Sequence, residues 1–205
     1  MASLLIADEL SEAFAELPLR YDFVLETNDS ALFRKKPVGR EARDFIRTPL
    51  ESRSIPLGQV IPLPDATEGH PLWLQVTAPL SWIGRLRALL YKPPQLMMTT
   101  VDAEGNEARH RIVPTIAETG FVIQPSILTA QDYIAYAQGR GTRWLSSIRI
   151  EAASPGEAEF WQSVSVSFSR LPELPMERED PMKALVRAGI VNVAPQNVSS
   201  QVTVL

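Results

Sequence analysis

The sharpest alternation in the chain lies in "EFWQSVSVSFSR", Glu159 to Arg170. Phe160, Val164, Val166 and Phe168 share one parity, and Trp161, Ser163, Ser165, Ser167 and Ser169 share the other. Successive side chains of a strand point to opposite faces, so this segment predicts a strand with an apolar face and a serine face that also carries Trp161. "PLWLQVTAPL" behaves alike, with Leu72, Leu74 and Val76 opposed to Trp73, Gln75 and Thr77. "PQLMMTTV" and "ARHRIVP" flank the polar "DAEGNE", Asp102 to Glu107, and predict a β-hairpin turning at Gly105-Asn106. Further strands are expected in "LRYDFVLE", Leu19 to Glu26, in "TGFVIQP", and in "TRWLSSIRIEA", where Trp144 opposes Leu145 in parity. "TNDS" and "SPGE" read as turns.

Helical spacing is rarer. Leu4, Leu5, Leu10, Phe14 and Leu17 mix with acids and predict an amphipathic helix over residues 3–16, ended by Pro18. "TAQDYIAYAQG" predicts a helix capped by Thr129, with Gly139 past its end and Ile127, Tyr133, Ile134 and Ala137 as its inner stripe. "PMKALVRAG" predicts another from Pro181. "GRLRALLYK" fits a strand or a helix equally. The five prolines and three glycines of residues 31–69 favour extended or edge segments, with "SIPLGQVIPL" as a short edge strand.

Together these elements predict a mostly β fold. It is an antiparallel β-sandwich, jelly-roll-like, with two or three short decorating helices. Residues 1–18 form the N-terminal helix, 19–170 the sandwich, and 171–205 a linker, a short helix and a final strand or tail. The strand, break and helix of Glu118 to Gly139 are expected to build a wall, with the helix folded across the sandwich end.

Composition narrows the function. The 205 residues carry a net charge of −4, with no basic stripe, and this argues against a nucleic-acid partner. The densest basic run, "RKKPVGREAR" (Arg34 to Arg43), reads as a solvated loop before it reads as a site for anionic lipid or phosphate. Without cysteine there is no disulfide framework, zinc–thiolate centre, iron–sulfur cluster or thiol nucleophile. The N-terminus interrupts its apolar run with Asp8, Glu9 and Glu12 and does not read as a signal peptide. No run approaches the roughly 18 apolar residues of a membrane span.

Candidate chemistry is sparse. His70 and His110 read as exposed loop or strand residues, with no G-x-S-x-G elbow to partner them. The acids Glu157/Glu159 and Glu177/Glu179/Asp180 read as turn and linker charge, so no catalytic residue is assigned. "DAEGNE" reads as a hairpin tip before a calcium loop, and neither metal nor cofactor is expected. The aromatics remain. Sugar rings pack their CH faces on flat aromatic rings, so Trp161, Trp73, Trp144 and Tyr136 are the candidate ligand-binding residues, against the plainer reading that they are core.

One stretch carries a family resemblance. "LYKPP" (Leu90 to Pro94), the hairpin, "R-x-V-P" (Arg111 to Pro114), "GF-x-x-x-P" (Gly120 to Pro125) and "SSIRI" (Ser146 to Ile150) follow in order. The stretch resembles an uncharacterised extracytoplasmic domain of multi-span bacterial membrane proteins of the glycosyltransferase type. The resemblance implies a periplasmic or cell-surface domain joined to the membrane through a parent chain rather than through this segment. It implies no catalytic residue. The expected function is non-catalytic recognition of a glycan or another envelope component. The alternatives are a glycan-acting hydrolase or transferase using a carboxylate such as Glu118 or Asp132, an assembly module forming homo-oligomers through edge strands, and a cytoplasmic location.

Overall fold

The computed structural model describes residues 3–4, 11–26, 31–36, 46–65, 70–139 and 143–173. The helix expected at "PMKALVRAG", the C-terminal tail, the turn "TNDS" and most of the basic run lie outside them. Eleven strands are described: β1 (Ser3–Leu4), β2 (Tyr21–Glu26), β3 (Ala31–Lys35), β4 (Thr48–Ile55), β5 (Val60–Pro62), β6 (Leu72–Thr77), β7 (Leu96–Asp102), β8 (Glu107–Ile112), β9 (Phe121–Gln124), β10 (Leu145–Ala152) and β11 (Val164–Arg170). The helices are α1 (Ser11–Arg20), α2 (Trp82–Leu90), α3 (Pro114–Thr119) and α4 (Ala130–Ala137), with a 3-10 helix at Pro155–Phe160. The mostly β class and the antiparallel pairing are as the alternation predicts, with more helix than expected.

The strands form a five-stranded sheet in the order β1-β8-β7-β10-β5, a four-stranded sheet β4-β11-β6-β9, and the separate hairpin β2-β3. All pairings are antiparallel except β1 with β8. Counted from β4 as the first, the eight later strands pair first with last, second with seventh, third with sixth and fourth with fifth.

Register puts the apolar parity of each strand inside. Phe168, Leu74 and Phe121 stand in one row across the four-stranded sheet. Ile150, Met98 and His110 stand in a row across the five-stranded one. Residues of both sheets join a single buried cluster, so the two sheets face each other across one apolar core. A slip of one residue would turn each of these sets outward, which is why the alternation specifies the pairing so strongly.

The opposite parity of β6 builds a second core. Trp73 and Val122 are paired neighbours on the outer face of the four-stranded sheet. They are buried with Ala15 and Leu19 of α1, Tyr133 and Tyr136 of α4, Ile127 and Leu171. Phe33 of β3 packs against this cluster, 6.2 Å from the Tyr133 ring. The helix beginning after Thr129 therefore covers a sheet face, not the sandwich end. Its cap is as predicted: Thr129 Oγ1 accepts from Asp132 N, and Asp132 Oδ2 accepts from Thr129 N.

Local breakers explain the other departures. Pro18 lies inside the last turn of α1, where a missing donor removes one bond and the helix runs on to Arg20. Pro49 sits on the edge strand β4 at a register shift opposite Ser169, a position that needs no ladder donor. Gly120 ends α3 with φ +94, and a Cβ there would run into the Trp73 indole. Glycine thus meets two demands at once.

Candidate functional site

A groove of about 550 Å3 opens beside the sandwich where three connections converge. One connection follows β6 (Pro79, Leu80), the second precedes β7 (Pro93, Pro94), and the third leads from β8 into α3 (Val113, Pro114). Trp161 completes the apolar wall. Proline suits such a lining, since it presents a rigid apolar ring and leaves no amide to satisfy.

The wall is fixed by hydrogen bonds that cross between distant segments. Leu80 and Trp161 form an isolated bridge, Gln162 N donates to Pro79 O at 2.9 Å, and Ser81 N donates to Phe160 O at 2.8 Å. Ser81 also caps α2, its Oγ accepting from Gly84 N at 3.1 Å while donating to Glu159 O at 2.8 Å. These bonds take residues 159–162 out of the β11 ladder, so the parity of that strand does not extend back to Trp161. Trp161 is buried in the inter-sheet core and lines the groove instead of joining the serine face. Its indole Nε1 is buried without a hydrogen-bond partner. The serines take another route: Ser167 Oγ lies 2.8 Å from Ser52 Oγ, and Ser169 is buried.

Three charged side chains line the groove: Arg85 of α2, Arg111 of β8 and Glu118 of α3. All three are exposed, and none has an ion-pair partner among the described residues. Two unpaired guanidiniums over an apolar floor can grip a carboxylate, a phosphate or a row of hydroxyls with paired N–H donors. Glu118 is the one carboxylate in the lining. Glycoside hydrolysis calls for two, so the described groove lacks that pair.

A second depression, of about 560 Å3, lies on the outer face of the five-stranded sheet. Arg149, Thr99 and Arg109 stand in one row there. Their charges are answered locally. Glu151 is 3.2 Å from both Arg109 and Arg149, and Glu107 is 3.7 Å from Arg149. A face whose cations are already paired offers a ligand less than the groove does.

The aromatic candidates separate. Trp73 and Tyr136 come together, but inside the second core, where both are almost fully buried. The Arg47 guanidinium lies 4.9 Å over the Trp73 ring. Burial pushes the Tyr136 and Tyr133 hydroxyls well above the ordinary tyrosine range. Trp144 is half-buried before β10, and its carbonyl accepts from Ala103 N. Only Trp161 borders the groove.

The remaining polar candidates have structural partners. Asp132 Oδ2 accepts from Leu128 N, Thr129 N and Thr129 Oγ1. Asp102 binds the hairpin tip, accepting from Glu104 N, Asn106 N and Asn106 Nδ2. The described residues contain no cluster of three metal-ligating side chains. His110, expected on the surface, is buried beside Thr100 on the inner face of β8. Its parity, shared with Ile112, decides that.

Sequence reading did not mark Arg85 and Arg111 as a pair. The one legible signal was Ser81 ahead of "WIGRLRALL", an N-cap that favours helix over strand for that ambiguous segment. Against known proteins the chain matches no family model, no curated protein and no solved structure.

Proposed function

We propose that this chain is a non-catalytic recognition domain that holds an acidic glycan, or an envelope component of the same chemistry, in the groove lined by Trp161. The observation that carries the reading is the pair of unpaired guanidiniums, Arg85 and Arg111, on a proline- and tryptophan-lined floor. The order of strand pairing, first with last through fourth with fifth, supports assigning the sandwich to the jelly-roll class, which includes lectin domains. The family resemblance supports an extracytoplasmic setting. No described helix is long and apolar enough to cross a membrane.

Calorimetric titration with a uronic-acid oligosaccharide, and with a neutral one of equal length, tests the reading. Saturable binding of the acidic ligand is expected, without cleavage. Arg111→Ala should weaken it by about tenfold or more, because a charge-assisted hydrogen bond contributes roughly 1.5–3 kcal/mol. Cleavage abolished by Glu118→Gln would make the chain a glycan-acting enzyme instead. No ligand, but a concentration-dependent dimer, would favour assembly through edge strands.

A further inference from the structure

Helix α2 is amphipathic in the wrong sense for a water-facing helix. Gly84 is buried against Phe160, and Arg87 lies over the Phe160 ring at 4.5 Å and pairs with Glu157 at 3.0 Å. Gly84, Ile83 and the paired Arg87 therefore face the protein. The other large apolar side chains face out: Trp82 is 74% exposed, Leu86 49%, Leu89 82%, Leu90 64%, and the following Tyr91 77%. At 100° per residue, Trp82, Leu86, Leu89 and Leu90 fall in a single arc of about 100°, the width of a stripe that normally packs on a core.

We infer that this face of α2 seats on an anionic lipid bilayer. Charge is the first argument. Residues 80–95 contain Arg85, Arg87 and Lys92 and no acid, in a chain whose net charge is −4. Arg87 is paired, whereas Arg85 and Lys92 have no ion-pair partner among the described residues and lie beside the leucines, complementary to anionic headgroups. Residue type is the second. A tryptophan and a tyrosine bracket the leucines, and both rings favour the boundary between hydrocarbon and water. Shape is the third. The leucines project from a short helix clamped at Ser81 and Gly84, and a bilayer receives projecting side chains without a preformed pocket. This contact belongs to the segment itself, where the resemblance put the membrane link in a parent chain. It shares Arg85 with the groove, but its exposed leucines, Trp82 and Tyr91 lie outside the groove lining.

Flotation of the full chain with vesicles of phosphatidylcholine, alone or mixed with phosphatidylglycerol, tests the inference. The chain should float with the mixed vesicles and far less with the neutral ones. Its tryptophan emission should move to shorter wavelength on binding. Trp82→Phe should remove most of that move, since the other tryptophans are buried or half-buried. Leu89→Asp should abolish flotation without changing the unfolding midpoint. Lys92→Ala should weaken binding roughly fivefold, the weight of one cation near an anionic surface. Failure to float, or flotation unaffected by Leu89→Asp, would overturn the inference. A dimer dispersed by Leu89→Asp with no lipid binding would assign the face to a second copy and overturn it equally. Lipid binding with no oligosaccharide binding would leave it standing while removing the glycan reading.

Discussion

Replacing Gly84 with alanine sets two effects against each other, and the structure says which wins. Within a helix the change alone favours folding by about 1 kcal/mol. Here the new methyl would overlap the Phe160 carbonyl oxygen and lie 2.9 Å from its carbon. That neighbour is backbone, held by Ser81 N on Phe160 O and by Gln162 N on Pro79 O, so it has little freedom to move aside. Tolerating the overlap costs about 1–3 kcal/mol. Relieving it by lifting α2 gives up the two Ser81 bonds to residues 159 and 160, worth about 2 kcal/mol together. Set against the helical gain, the first route leaves a net destabilisation of about 0–2 kcal/mol and the second about 1 kcal/mol, a fall of up to a few degrees in melting temperature for a chain of this size. Gly156→Ala is the control, since nothing lies within 4 Å of a Cβ there. It should be neutral, or stabilising by up to about 1 kcal/mol. Urea unfolding of both variants gives the answer. Gly84→Ala as stable as Gly156→Ala would refute the close packing of α2 on the 3-10 helix, and with it the fixed groove wall.

Other changes test other parts. Trp73→Ala should cost about 3–5 kcal/mol in urea unfolding, because the indole is the largest fully buried side chain and ties α1 and α4 to the sheet. Tyr136→Phe should stabilise by about 1 kcal/mol, since its hydroxyl is buried without a partner. Thermal unfolding with no gain would contradict that. Asp102 titrates below its ordinary 3.8, held there first by the Asn106 amide and then by backbone N–H groups. Its contribution is therefore present above that value and lost as the pH falls beneath it, so Asp102→Ala should flatten the acid limb of stability. Tyr133 and Tyr136 shift the other way. Their contribution is complete below the ordinary tyrosine value and is lost as the pH rises above it, so the double phenylalanine variant should resist alkaline unfolding better.

What the sequence disclosed depended on how local the cause was. The hairpin of β7 and β8 was legible because Gly105 (φ +86) and the polar tip specify it within six residues. The two parities of β6 were legible too, since each fills a core of its own. Strand β4 was hidden: as an edge strand it is mostly exposed, carries Pro49 and shows no apolar alternation. Helix α3 was hidden in a six-residue turn between two strands. Helix α2 was ambiguous because "GRLRALLYK" begins at Gly84 and leaves out Trp82, the first residue of the helical apolar arc, and the Ser81 cap before it. The groove was least legible. It joins Pro79, Pro94, Arg111 and Trp161 through bonds between segments some eighty residues apart, such as Gln162 Nε2 to Leu80 O. Trp161 was assigned by parity to a strand that it precedes.

The groove is the centre of this account, and nuclear magnetic resonance can address it residue by residue. The chain has four tryptophans, hence four indole N–H signals. Titration with the uronic-acid oligosaccharide should move the Trp161 indole and the Arg85 and Arg111 guanidinium signals together, with a single dissociation constant, while Trp73 stays fixed in the second core. Saturable shifts at Arg109 and Arg149 on the sheet face, with those three unmoved, would contradict it.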